Sequence, residues 1–309
     1  MELDFVRWLM ARLPHTERLI VPAGDDAAVL RLSAGTDLVA TTDMLMDGVD
    51  FHLGQHEPER IGRKALAVNL SDLAAMAARP VAALVSLALP RQGGEALARR
   101  LIEGMLPLAN EFACPIAGGD TNSWNERLVI SVTALGEVPR GKQWTRSGAR
   151  PGDSIVVSGQ FGGSILGHHF DFVPRVQEAL WLAENFEMHA AIDVSDGLSL
   201  DLARVCEASN CGAALELGAI PIAAAAAHLA RQEPDRQTAL DHALSDGEDF
   251  ELLLALPAND AARLIAEQPL GVRWTQIGSF IPRLGLFALA ADGTKTSLPA
   301  RGYEHGLEG

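Results

Sequence analysis

Apolar positions along this chain change period repeatedly, and each change marks a predicted element. Leu3, Val6, Met10 and Leu13 recur at helical spacing and predict an amphipathic helix at the start. Val39-Ala40 leading into Thr41-Thr42-Asp43 predicts a strand that ends on an acid. Pro58 opens a predicted helix carrying Ile61, Ala65, Val68, Leu73 and Met76, and Pro80 closes it. An apolar strand follows from Val81 to Leu89, then a helix from Glu95 to Phe112. Cys114 to Ala117 reads as a short strand and Leu128 to Gly136 as a longer one. The stretch 141–152, rich in glycine and basic residues, is the expected domain junction. Beyond it we expect a strand at Ser154–Ser158, a helix after Pro174, and a strand at Ala190–Ile192 running into Asp193. A helix over Leu198–Ala208, a helix through the alanine run Ala223–Ala227, and strands at Trp274–Ser279 and Leu284–Leu289 complete the pattern. The class is mixed α/β, α+β in its segregation, with an N-terminal domain over 1–140 and a C-terminal domain over 150–309.

Polar positions interrupt this pattern at six short aspartate motifs. They are Gly24-Asp25-Asp26-Ala27-Ala28, Thr41-Thr42-Asp43, Asn69-Leu70-Ser71-Asp72, Gly118-Gly119-Asp120-Thr121, Asp193-Val194-Ser195-Asp196-Gly197 and Asp246-Gly247-Glu248-Asp249-Phe250. Each has an ordinary alternative. Gly-Asp-Asp and Gly-Gly-Asp-Thr suit turns, and Thr-Asp and Ser-Asp-Gly suit helix caps. Asp72 shares a helix face with Asn69, and within that apolar segment it needs a partner, either an ion pair with Lys64 or Arg79 or a metal. Taken together, acids beside strand ends and glycines point to one chemistry. Crowded carboxylates repel and require cations, and oxygen ligands without thiolates favour a hard ion, Mg²⁺. Such an ion usually completes its shell with water and substrate phosphates. The chain therefore reads as a phosphoryl-transfer or nucleotide-using enzyme. It has no Gly-x-x-x-x-Gly-Lys-Ser/Thr loop and no protein-kinase motif set. Gly159-Gln160-Phe161-Gly162-Gly163-Ser164 lacks the lysine and is expected to be a turn into a helix.

Composition narrows the partners. The 309 residues are 48% hydrophobic, enough for packed cores, and carry a formal net charge of −15. That charge argues against nucleic acid and anionic membranes as partners. The apolar region from Leu73 to Pro90 is broken by Arg79-Pro80 and is not a membrane span. An acidic start, Met1-Glu2-Leu3-Asp4, is not expected to be a signal peptide. Three cysteines, Cys114, Cys206 and Cys211, fit a reducing, cytoplasmic setting and small buried roles.

The order and wording of the motifs resemble the thiamine-monophosphate kinase family, in the superfamily typified by aminoimidazole ribonucleotide synthetase. The likeness runs from Gly24 to the C-terminus. Besides the motifs above it includes Asp47-Gly48-Val49, Arg146-Ser147-Gly148-Ala149 and Gly247-Glu248-Asp249-Phe250-Glu251-Leu252. The resemblance implies ATP-dependent phosphorylation of thiamine monophosphate to thiamine diphosphate with several Mg²⁺ ions. It implies a two-domain fold like aminoimidazole ribonucleotide synthetase, dimerising through the N-terminal sheet as a homodimer, with ATP between the domains. By position, Asp26, Thr41, Thr42, Asp43, Asp72, Asp120, Asp193 and Asp196 would form the metal shell. Gly119, Asp120, Arg146 and Ser195 would meet ATP, and Asp120 and Arg146 would carry catalysis. Asp50, Glu248 and Tyr303 would face the thiamine ester. Three departures lie on that acceptor side. Asp50, with His52 beyond it, stands where the family has histidine; Asp246 replaces a glycine before Gly247-Glu248-Asp249; and Tyr303 matches an aromatic that is often tryptophan.

The implied chemistry is in-line attack by an already anionic phosphate oxygen on the γ-phosphorus of ATP, which needs no protein base. Selenophosphate synthetase-like chemistry would want a cysteine before Cys114, and hydrogenase-maturation relatives a C-terminal cysteine. Aminoimidazole ribonucleotide synthesis is not excluded by residues, and a non-catalytic nucleotide or metal binder has only Asp50 and Asp246 in its favour.

Overall fold

The protein is described by a computed structural model over residues 2–13, 16–21, 27–232 and 237–304. It divides into two compact units, Met1–Gln143 and Trp144–Gly309.

The first unit runs α1 (Glu2–Met10), β1 (Leu19–Val21), β2 (Val29–Leu30), β3 (Thr36–Met46), α2 (Pro58–Ala75), β4 (Arg79–Pro90), α3 (Gly94–Glu111), β5 (Ile116–Trp124) and β6 (Val129–Pro139). Four strands form a sheet in the order β3-β6-β4-β5, with only β4 and β5 parallel. Alternation along β3 gives the sheet two faces. Thr41, Asp43 and Leu45 lie on the covered face under α2, whereas Thr42, Met44 and Met46 are exposed. Leu66, Leu70 and Leu73 of α2 and Leu101, Ile102 and Met105 of α3 are fully buried and form the centre of this core.

Two strands extend past the predicted ends. The ladder of β3 on β6 is continuous from Thr36↔Pro139 to Met46↔Val129, so Thr41-Thr42-Asp43 lies mid-strand rather than at a strand end. Pairing of β5 along β4 from Leu84↔Gly118 to Pro90↔Trp124 likewise carries Gly118-Gly119-Asp120-Thr121 inside a strand. Glycine, aspartate and asparagine are poor strand formers, and a long neighbour overrides them. Helix α2 stops before Pro80 is reached. Ala77 takes a left-handed φ of 52°, and the Ala78 amide bonds to the Leu73 carbonyl at 2.8 Å, closing the helix by backbone geometry.

The second unit runs β7 (Ser154–Ser158), α4 (His168–Asp171), α5 (Val176–Asn185), β8 (Ala190–Asp193), α6 (Leu198–Ala208), β9 (Gly212–Leu215), α7 (Ala224–Gln232), α8 (Ala239–Ser245), β10 (Leu252–Leu256), α9 (Ala258–Glu267), β11 (Trp274–Ile281), β12 (Gly285–Leu289) and β13 (Lys295–Leu298). Its seven strands are ordered β13-β12-β9-β11-β7-β10-β8, parallel only between β12 and β9. Strands β7 and β10 are buried along their whole length, and Ile155, Val157, Ile192, Leu202, Leu253 and Phe280 share one core. Strand β9 is Gly-Ala-Ala-Leu and carries no local strand signal; pairing with β11 and β12 makes it a strand. Among the described residues no helix is long and apolar enough to cross a membrane.

Candidate active site

In the first unit, the covered face of β3 and the helix above it hold the first acids. Thr41 donates its hydroxyl hydrogen bond to Asp72 of α2. Burial, then the charges of Asp72 and Asp50, push the Asp43 carboxyl up from 3.8 to about 7. Asp43 Oδ2 is buried without a hydrogen-bond partner. A half-buried acid beside other acids, with one oxygen buried and unmatched, offers a donor set that suits a cation. Asp50 turns its carboxylate onto the Met46 amide at 2.7 Å, while its carbonyl accepts from the fully buried Lys64 ammonium at 3.0 Å. On the same helix Asn69 donates to the Ala65 carbonyl at 3.1 Å, and its own Oδ1 is a second buried, unmatched oxygen.

Thr42 and Asp120 lie elsewhere. Thr42 is on the exposed face, bonded to the Val132 carbonyl at 3.2 Å and to the Thr133 hydroxyl at 3.1 Å. Asp120 is exposed and in register with Ser86, on that same open face. Strands β3 and β5 are the two edges of the sheet, so Asp43 and Asp120 stand three strand spacings apart, roughly 14 Å. Asp120 lines a cavity of about 740 Å³ with Leu84, Ser86, Gly118, Gly119 and Thr133. Gly119 is required there by its neighbour as well as by any ligand, because a Cβ would stand 1.8 Å from the Val85 carbonyl oxygen.

The second unit gathers its motifs around one loop. Strand β8 ends at the buried Asp193, and residues 194–197 lead into α6. Asp201, fully buried in the first turn of α6, accepts the amides of Ser195, Asp196 and Gly197 on one oxygen, at 3.1, 2.9 and 3.2 Å. Its other oxygen takes Arg204 Nη1 at 2.6 Å, and the same nitrogen also bonds Asp196. The segment bearing Arg146 runs beside β8, with the Ala191 amide donating to the Thr145 carbonyl at 2.9 Å; the Arg146 side chain is exposed.

Two distant segments close on this loop. The Glu248 amide donates to the Ser195 carbonyl at 2.7 Å, the Phe250 amide to Val194 at 2.8 Å, and the Tyr303 amide to Asp196 at 2.8 Å. Ser195, Asp196, Glu248 and Tyr303 are thereby brought together. Glu248 and Phe250 hold left-handed φ angles of 54° and 52°, a strain of about 1–2 kcal/mol each that the surrounding bonds maintain. The Glu248 carboxylate meets His169 Nδ1 at 3.1 Å. The glycine-rich turn does lead into a short helical turn at Ser164–Leu166, but it also clamps residues 246–249. Gly162 and Gly163 donate their amides to Asp249 and Asp246, both at 2.8 Å, and Ser164 donates to the Gly247 carbonyl at 2.6 Å. Gly162 has a φ of 88°, and a Cβ would stand 2.6 Å from the Ala243 nitrogen. Burial pushes the Asp249 carboxyl well up, and its Oδ2 is buried and unmatched.

Asp26 lies outside the described residues. Among the described residues no three histidine, cysteine, aspartate or glutamate side chains form a metal-holding cluster.

The domains described as AIR synthase related protein, N-terminal domain, and AIR synthase related protein, C-terminal domain, match residues 24–138 and 150–288. A thiamine-monophosphate kinase of Rhodopirellula baltica is 42% identical over 99% of this chain and 98% of its own length. This chain belongs to the thiamine-monophosphate kinase family. The Escherichia coli K12 member of that family is 35% identical, over 91% of this chain and 90% of its own. The crystal structure of the thiamine-monophosphate kinase from Stenotrophomonas maltophilia K279a superposes with a TM-score of 0.79 at 33% identity, covering 95% of this chain and 96% of that one. AaThiL complexed with AMPPCP and TMP superposes at 0.76 and 26% identity, covering 99% and 96%. Escherichia coli HypE, a hydrogenase maturation protein, reaches 0.80 at 21% identity over 98% of both chains and shows the shared fold alone. The two-domain aminoimidazole ribonucleotide synthetase-like fold is therefore common ground, and membership of the thiamine-monophosphate kinase family rests on sequence.

Within that family frame, several supporting residues were not visible to motif reading. Asp201 had one signal, an acid in the first turn of a helix, and Arg204 follows it at i+3 on the same face. Arg175 had none. It grips Glu251 through Nε and Nη2 at 2.7 and 2.6 Å, across a sequence separation of 76.

Proposed function

We infer that this protein transfers the γ-phosphoryl group of ATP to thiamine monophosphate, giving thiamine diphosphate. The carrying observation is the 42% identity to a thiamine-monophosphate kinase along nearly the whole of both chains. The likeness to AaThiL complexed with AMPPCP and TMP supports ATP as the phosphoryl donor. In this reading Gly119, Asp120, Arg146 and Ser195 meet the nucleotide, and Asp50, Glu248 and Tyr303 meet the thiamine ester. Asp26, Thr41, Thr42, Asp43, Asp72, Asp120, Asp193 and Asp196 hold Mg²⁺. The unmatched Asp43 oxygen and its raised carboxyl fit a cation ligand. Bound Mg²⁺ would neutralise the triphosphate and the carboxylates that crowd it. The acceptor phosphate is its own nucleophile, so the protein's share is orientation and charge balance, with Arg146 as an exposed guanidinium able to reach a phosphate.

A homodimer belongs to the same reading. Asp43 and Asp120 occupy opposite edges of one sheet, so an ion that needs both draws them from two copies. The open face of β3 also exposes Leu38, Met44 and Met46, a row of apolar side chains suited to burial against a second copy. A cytoplasmic location goes with it, supported by three free, buried cysteines.

The test is an ADP-release assay with thiamine monophosphate, thiamine and formylglycinamidine ribonucleotide supplied side by side. Release only with thiamine monophosphate, and recovery of thiamine diphosphate, is expected. Turnover of formylglycinamidine ribonucleotide alone would replace this function with aminoimidazole ribonucleotide synthesis.

A further inference from the structure

We propose that Arg204 is a built-in counter-cation that holds Asp196 in the metal-free chain and competes with the divalent ion for it. The proposal rests on the assignment of Asp196 as a metal ligand given above. One guanidinium nitrogen, Arg204 Nη1, bonds both Asp196 Oδ2 and Asp201 Oδ1. Asp201 is fully buried, while Asp196 and Arg204 are each about one-third exposed, at 31% and 32%. The two acids therefore have different attachments. Asp201 is anchored by three backbone amides and keeps them whatever Arg204 does. Asp196 has its side chain on a loop whose backbone is fixed from both sides, by Asp201 below and by the Tyr303 amide on its carbonyl. Its carboxylate alone is free to exchange one cation for another.

A positive charge in that position does two things. It cancels repulsion between Asp196 and Asp201, so the loop can order without metal. It also opposes a second cation arriving at the same carboxylate, by direct competition for lone pairs and by like-charge repulsion. Arg204 thus raises the divalent-ion concentration at which the loop loads. Removing its charge must tighten metal binding, which no merely structural role of Arg204 would do.

The experiment titrates Mn²⁺ into the full chain with a saturating non-hydrolysable ATP analogue and follows free Mn²⁺ by paramagnetic resonance. Arg204→Met and Arg204→Gln remove the charge, the first without and the second with a remaining donor to Asp201. Both are expected to lower the apparent Kd of the Asp196-dependent site by about three- to tenfold, an advantage that shrinks in high salt. Arg204→Lys, which keeps the charge, should stay near wild type. Unchanged or weaker Mn²⁺ binding in whichever neutral variant is folded, judged by its thermal midpoint, overturns the proposal. Asp196→Asn in the wild-type background separates the two levels. Weaker Mn²⁺ binding there, with no gain from the neutral Arg204 variants, defeats only the role of Arg204. Mn²⁺ binding indifferent to Asp196→Asn defeats the ligand assignment itself.

Discussion

The two acid-bearing regions answer one electrostatic problem in opposite ways. Under α2, Asp43 is half-buried beside Asp72 and Asp50, its carboxyl is pushed up to about 7, and one buried oxygen has no partner. At the start of α6, Asp201 is more deeply buried, yet three amides and Arg204 surround it. Burial still pushes the Asp201 carboxyl up, against the bonds that favour its charge. The first region leaves one acid oxygen unmatched, whereas the second surrounds its acid with donors. Similar motifs therefore do not imply similar states: what matters is whether the fold supplies the cation or leaves it to the solvent.

The largest effect tests what the compensating cation is for. On the proposed assignment of Asp120 to Mg²⁺, Asp120→Asn should lower turnover by about 10²-fold or more at saturating Mg²⁺. If the proposed homodimer shares its sites between copies, mixing inactive Asp43→Asn and Asp120→Asn chains should restore about a quarter of wild-type activity, because half of randomly formed dimers would carry one intact site. No recovery on mixing would return both acids to one chain.

Stability separates the regions by sign. Asp201→Ala leaves buried amides and Arg204 without their acceptor and should destabilise the protein by about 2–4 kcal/mol. Asp43→Asn should do the reverse in metal-free protein above neutral pH, because it removes a charge that burial and the neighbouring Asp72 and Asp50 disfavour. Thermal midpoints measured with chelator decide this, and a destabilised Asp43→Asn would erase the contrast.

The pH dependence is a smaller and sharper version of the same point. Unfolded Asp43 ionises near 3.8 and the folded residue at about 7. Between those values the folded chain holds a proton that the unfolded chain has lost, so metal-free stability falls as pH rises through that window. A divalent ion held by Asp43 needs the ionised carboxylate, so its apparent affinity should weaken by about fivefold between pH 7 and pH 6. Asp43→Asn should abolish both slopes. A wild-type titration flat across this range would place the Asp43 carboxyl back near its ordinary value.

Much of the fold was legible because long elements carry strong periodic signals. Helices α2, α3 and α6 and strands β4, β6 and β7 were expected close to where they stand. Two short strands were not: β9 and β13 have weak local preferences and exist through their neighbours. The candidate site divides along the same line. Motif wording picked out Asp43, Asp72, Asp120, Asp193, Ser195 and Asp196 as a chemical class. It could not say that Asp43 and Asp120 lie on opposite edges of a sheet, because register is set by β6 and β4 between them.

What the residues alone determined is composition at short range: acids beside glycines and hydroxyls, and a family. Pairing across the chain decided the rest. Arg204 on Asp196, Arg175 on Glu251, and the glycine amides on Asp246 and Asp249 join groups that sequence spacing does not connect, or connects only as one helix face among several. The physical reason is that charge balance depends on distance and burial, and both are properties of the packed chain.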